Sequence, residues 1–263
     1  MGKMASSVFV AAMALTLPAA AQDAPADWSG LYIGLHGGWA SSSTSGALGY
    51  NDAAFPNITA VDVFGSVDRD LSDADGWLGG VQIGYSHQVG AIVLGIEADI
   101  AHIDGDASGA FTTADGFTTW NITSDIHSLA TLRGRLGFVA GPLLIYGTAG
   151  PAWARSTSEN SVACVGCPVT PWATGEATES HFGWSAGAGA EWALGGGWSL
   201  KGEYLYVDLG RQNHQFVGTA LSGAPADETS PGSGVYRYQS DSFDSEMTLQ
   251  SVRVGINYRF SAP

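Results

Sequence analysis

The chain has 263 residues, 37 of them Gly, with 25 Asp plus Glu against 10 Lys plus Arg and a net charge of −15. An apolar share of 45% with only 13% charged residues excludes a disordered chain, and the scarcity of Lys argues against a helical cytosolic enzyme. The acidic balance repels phosphate backbones, so no nucleic-acid partner is expected.

Residues 1–21, MGKMASSVFVAAMALTLPAAA, carry Lys3, an apolar run from Val8 to Leu17, Pro18, and small residues at Ala19 and Ala21. That is the layout of a secretory signal peptide, with cleavage expected after Ala21 and residues 22–263 forming one domain. The apolar run is too short to anchor the chain across about 30 Å of hydrocarbon. Cleavage removes one base and no acid, so the exported chain is more acidic still.

Eight segments then combine Gly and aromatic residues with period-two apolar alternation: 30–39, 76–87, 91–102, 127–138, 143–154, 181–193, 197–209 and 247–260. Each is long enough for a strand tilted across a bilayer. The gaps after the second, fourth and sixth are short (Gln88 to Gly90, Val139 to Pro142, Leu194 to Gly196). Those after the first, third, fifth and seventh are long, at roughly 40–75, 103–126, 155–180 and 210–246. Short turns on one rim and long loops on the other predict an all-β fold, an eight-stranded antiparallel transmembrane barrel with periplasmic turns and extracellular loops. The segments 58–67 and 235–243 could extend strands or add a hairpin above the membrane.

Alternation assigns the faces. Ile92, Leu94, Ile96 and Ile100 oppose Glu97 and Asp99; Ala130, Leu132, Leu136 and Phe138 oppose Arg133 and Arg135. Phe182, Trp184 and Trp192 oppose Glu191; Leu200, Tyr204 and Tyr206 oppose Lys201 and Glu203; Val252, Val254 and Ile256 oppose Arg253 and Arg259. A charge on the lipid face costs about 2–4 kcal/mol at the midplane, so Glu97, Asp99, Arg133, Arg135, Glu191, Lys201, Glu203, Arg253 and Arg259 are expected in the lumen as an ion-pair network. In it, Glu97 and Asp99 would neutralise Arg133 and Arg135. Trp28, Trp39, Trp77, Trp192, Trp198, Tyr204 and Tyr206 suit aromatic girdles at the two interfaces.

Chemistry is sparse. GWSAG at 183–187 has the letters of a nucleophile elbow, yet it lies inside a strand candidate with no helix after it, so Ser185 reads as a lumen-facing strand residue. The six histidines, His36, His87, His102, His127, His181 and His214, have no metal-ligand spacing in sequence and read as groups near the rims. No catalytic, metal or cofactor residue is singled out and no enzyme is expected. In an oxidising compartment Cys164 and Cys167 of CVGC read as a local disulfide in a surface loop, with two free thiols or a redox pair as alternatives.

The segments WSGLYIGLHGGW, GWLGGVQIGYSHQVGAIVLGIEADI, LATLRGRLGFVAGPLLIYGTAGPAWA, GWSAGAGAEWALGGGWSLKGEYLYVDLG and VRVGINYRF resemble the outer-membrane β-barrel family of alpha-proteobacteria that includes the 25 and 31 kDa surface antigens of Brucella-type bacteria. The resemblance spans Trp28 to Phe260. It implies a small eight-stranded barrel with a structural role in the envelope, and in some members porin activity or haem binding. It also implies that Tyr258 and Phe260 end the strand read by the barrel assembly machinery. The expected partners are outer-membrane lipid, lipopolysaccharide and that machinery, with divalent cations between the acidic loops and lipid phosphates. The expected function is structural, in the outer membrane of a Gram-negative bacterium. A small-solute porin and an adhesion or ligand-binding protein are the alternatives.

Overall fold

The computed structural model describes residues 26–48, 67–70, 74–112, 118–164, 173–214, 217–220, 237–239 and 243–260. The expected signal peptide, most of residues 58–67 and Cys167 lie outside them. Among the described residues the strands are β1 (Gly30–Leu48), β2 (Val67–Asp70), β3 (Ala74–Val89), β4 (Ile92–Asp104), β5 (Asp106–Thr112), β6 (Thr118–Ala140), β7 (Leu143–Cys164), β8 (Ala173–Gly195), β9 (Trp198–His214), β10 (Val217–Ala220), β11 (Arg237–Gln239) and β12 (Phe243–Arg259).

Eight of these close a ring. β1, β3, β4, β6, β7, β8, β9 and β12 pair in that order, all antiparallel, and β12 returns to β1 from Tyr32↔Arg259 to Leu48↔Phe243. Closure leaves no unpaired sheet edge within the wall, which hydrocarbon requires. The three short connections are tight turns at 90–91, 141–142 and 196–197. Gly90 and Gly141 take φ near +62° and +61° there, a conformation that glycine adopts without steric cost.

Alternation sets the two faces as the strand period requires. Leu35, Val81, Ile83, Leu94, Ile96, Ile100, Leu136, Phe138, Val254 and Ile256 are exposed on the outer wall, while the charged residues between them are buried. At the outer interface the rings of Trp39 and Trp77 meet edge-on at 5.1 Å, and those of Trp153 with Phe182 and of Trp184 with Tyr206 lie at 5.6 Å. At the periplasmic interface Trp198 and Tyr258 lie 5.0 Å apart, with Phe260 beside Tyr258. Trp28 departs from the expected girdle: it is fully buried in the lumen mouth. It precedes β1, so no strand alternation governs its side, and burying the indole there removes more apolar surface from water than the interface would.

The wall is taller than expected. β6 and β8 each have 23 residues and β7 has 22, so much of what reads as loop in 103–126 and 155–180 is strand. These upper segments are rich in Ser, Thr, Asn and Asp and carry too little apolar alternation to mark them in sequence. β5 lines up on β6, β10 on β8 and β11 on β10, so the 235–243 region does contribute to a small hairpin above the barrel. β2 pairs with the upper end of β1. Cys164 is the last residue of β7, opposite Thr118, so the first cysteine of CVGC belongs to a strand rather than a loop.

Candidate functional site in the barrel lumen

All nine charged side chains assigned to the inner face by alternation lie inside the barrel, between a plug at one mouth and an apolar cluster toward the other.

The periplasmic layer is a plug. The main chain at Trp28 turns under the mouth, its amide donating to Gln88 Oε1 at 2.8 Å, and the Gln88 amide donates to Ser29 Oγ at 3.1 Å. The Trp28 indole packs on Val93, Leu144 and Tyr146, with the Arg259 guanidinium 4.6 Å above it. The Ser29 backbone amide and hydroxyl, as donors, hold the neighbouring Asp27 carboxyl below its usual range.

The middle layer holds the charges. Arg133 is its hub, reaching Glu97 at 2.7 Å and Asp99 at 3.1 Å through Nη2, and Glu203 at 2.7 Å through Nη1. Lys201 Nζ bridges Glu97 at 3.0 Å and Glu203 at 3.2 Å and donates to Gln82 Oε1 at 2.8 Å. Arg253 pairs with Asp99 at 3.0 Å, and Thr131 donates to the same carboxylate. Nearer the periplasm, Glu191 pairs with Arg135, lies 3.6 Å from Arg259, and accepts from Ser199 at 2.5 Å and Asn257 at 2.9 Å. The expected pairing is thus right for Arg133 and wrong for Arg135. The register puts Arg133 opposite Glu97, whereas Arg135 lies a row nearer the periplasm, opposite Gly95 on β4 and within reach of Glu191.

Two tyrosines join the two sets of pairs. Tyr32 donates to Glu97 at 2.8 Å and accepts from Arg135 at 3.2 Å, and Tyr146 donates to Glu203 at 3.0 Å with the Arg135 guanidinium 3.9 Å above its ring. Glycines opposite make the space: a Cβ on Gly84 would sit 2.3 Å from Tyr32 Cζ, and one on Gly189 would sit 2.5 Å from Tyr146 Oη. Carboxylates with several donors each, and cations with several acceptors, offset much of the cost of burying charge.

The third layer, toward the long-strand rim, is apolar. Leu78, Ile103, Leu129, Leu205, Met247 and Leu249 belong to one buried cluster. It continues the inward parity that carries Lys201 and Glu203 on β9, so the signal was present in sequence but masked by apolar residues on both faces. Beyond it Ser156 Oγ and His181 Nε2 share a hydrogen bond of 2.7 Å, both buried. His36 is also buried, 4.0 Å from Asp99, so these two histidines lie within the lumen rather than at exposed rims. Ser185 of GWSAG is an inward residue of β8 whose hydroxyl donates to the Gly150 carbonyl at 3.1 Å.

Comparison with known proteins agrees with this architecture. A model of the outer membrane protein beta-barrel domain matches residues 7–260. The chain is 30% identical to the 31 kDa outer-membrane immunogenic protein of Brucella melitensis, with 97% of this chain and 95% of that protein covered. It is 29% identical to a 22 kDa outer membrane protein of Rhizobium leguminosarum, covering 91% of this chain and 83% of that one. The crystal structure of the outer membrane protease OmpT from Escherichia coli shares the fold at a TM-score of 0.51 and 9% identity, covering 88% of this chain and 97% of that one. With its closed eight-stranded wall, girdled outer face and relatives along nearly its whole length, this chain belongs to the outer membrane protein β-barrel family and resides in the outer membrane.

Proposed function

We propose that the chain is a structural protein of the outer membrane, a closed wall element that contributes to envelope integrity without conducting solutes. The observation that carries this reading is the filled lumen. A plug around Trp28, a layer of paired charges and an apolar layer follow one another along the axis, and eight strands enclose only enough room for side chains. An ion crossing would have to displace Arg133 from three carboxylates and then enter an apolar stretch, each step unfavourable in a low-dielectric interior. The outer wall and acidic upper segments are read as the surfaces that meet lipid and lipopolysaccharide, the acidic segments through divalent cations. Insertion is read as the work of the barrel assembly machinery, with Tyr258 and Phe260 at the end of the last strand as its signal.

Planar-bilayer recording on the refolded protein tests the reading. Small, irregular or undetectable conductance and no swelling of sugar-loaded liposomes is the expected outcome. Steady nanosiemens openings with sugar-driven swelling would make the protein a porin instead.

A further inference from the structure

Among the described residues, the outer face of a protein with net charge −15 carries a cluster of basic side chains near its outer girdle. The register places His102 of β4 opposite Ser128 of β6, Ser128 opposite Arg155 of β7, and Arg155 opposite Ser180 of β8. A β-bulge between Ile126 and Ser128 adds His127 to this row, and His102, His127, Arg155 and Ser180 are all exposed. The His102 ring is fixed by donating Nδ1–H to the His127 carbonyl at 2.7 Å, which leaves its Nε2 free to face outward. Immediately below, toward the bilayer, the next outward row reads Ile100, Ala130, Trp153 and Phe182, with the last two rings in contact.

The height of this row is fixed by strand length. About eleven residues of a tilted strand cross the hydrocarbon, and on β7 that count runs from Leu143 at the periplasmic turn to the girdle residue Trp153. Arg155 therefore stands at headgroup level in the outer leaflet. It makes no ion pair among the described residues, and the nearest carboxylate in register, Asp125, lies a row higher opposite Thr157. A guanidinium matches phosphate oxygens in a bidentate fork, the Ser128 and Ser180 hydroxyls and the ring N–H of His127 supply further donors beside the outward-facing His102 ring, and the aromatic pair beneath would flank the upper part of an acyl chain.

We infer that the row formed by His102, His127, Ser128, Arg155 and Ser180 is a binding site for the phosphate of an outer-leaflet glycolipid, the lipid A part of lipopolysaccharide, held by direct contact rather than through a divalent cation. The site rests on the reading of the outer wall as a lipopolysaccharide-facing surface and gives that surface a definite position.

Native mass spectrometry of the full refolded barrel in detergent, titrated with bisphosphorylated lipid A in the presence of a chelator, tests it. Wild type is expected to hold lipid A with the chelator present. Arg155→Gln should weaken binding by about tenfold, and Arg155→Lys should restore part of it. Dephosphorylated lipid A should bind wild type no better than the phosphorylated form binds Arg155→Gln, and inorganic phosphate at equal concentration should not compete. Equal binding by wild type and Arg155→Gln overturns the site while leaving a lipopolysaccharide-facing wall intact. Loss of all binding on chelation overturns direct contact in favour of a cation bridge, competition by inorganic phosphate overturns the lipid as ligand, and failure of wild type to bind either lipid A overturns the site together with the reading of the wall. Arg155 is exposed, so heat-modifiability of the variants should match wild type and verify that the barrel is folded.

Discussion

Arg133 is the residue on which the lumen turns. It contacts Glu97, Asp99 and Glu203 and also donates to Thr148 Oγ1 at 3.2 Å, and all three carboxylates are buried. Arg133→Met keeps much of the side-chain volume but leaves three acids with fewer cations than they need. Breaking a buried ion pair from one side costs about 3–5 kcal/mol, so the urea unfolding midpoint of this variant in lipid should fall well below that of wild type. Arg155→Gln, on the exposed wall, should change the stability by no more than about 1 kcal/mol and so leave the midpoint close to that of wild type. Equal midpoints for the two variants would mean that the interior is wet and the charges screened. Arg259 differs from both, since it is stacked over Trp28 and lies 3.6 Å from Glu191, so its removal acts through packing of the plug as much as through charge.

At the scale of elements, the upper wall and the hairpin it carries have separate standing. β9 and β12 stay paired up to His214↔Phe243, so they form barrel wall beyond the girdle, whereas β10 and β11 are an addition to the upper edge of β8. Deleting 217–239 removes only the addition, and the truncated protein should remain heat-modifiable with little change in its unfolding midpoint. Deleting 210–246 removes the pairs from Glu246↔Arg211 to Phe243↔His214 and should lower the midpoint, because the ladder that closes the ring there is shortened. If the shorter deletion proved as damaging as the longer, the hairpin would have to be counted as part of the wall. The bulges at Ile126/Ser128 and Glu246/Thr248 both lie near the outer girdle, where an added residue re-aims side chains without disturbing the pairing below.

For the whole molecule, the alternation of two-residue turns and long connections fixes which rim faces outward. With both native cysteines replaced, single cysteines at Ser108 in β5 or Gly218 in β10 should react with a membrane-impermeant maleimide on intact cells. Cysteines at Gly90, Gly141 or Gly196 should react only after the outer membrane is breached. Labelling at the turns on intact cells would invert the barrel and move the Trp28 plug to the outside. The same orientation places the apolar lumen layer on the outer side of the charge network, so the paired charges are shielded from the medium by Leu129, Leu205, Leu249 and their neighbours.

The amino-acid sequence by itself determined the eight strands of the wall, their closure and the inward side of the nine charged residues named from it. These follow from a period of two read against a solvent that forbids charge on one face, and that rule acts residue by residue along each strand. It could not determine who pairs with whom. Arg135 reaches Glu191 rather than Glu97 or Asp99 because pairing across a barrel depends on register and stagger, which join residues more than fifty positions apart. Trp28 lay outside any strand, so only the folded mouth decided between interface and plug. The tops of β6, β7 and β8 were invisible because their Ser-, Thr- and Asn-rich segments carry too little apolar alternation, and only the backbone register reveals them as strand. The row around Arg155 needed three separate registers and a bulge to assemble, since its members come from four strands and share no pattern that a linear reading could detect.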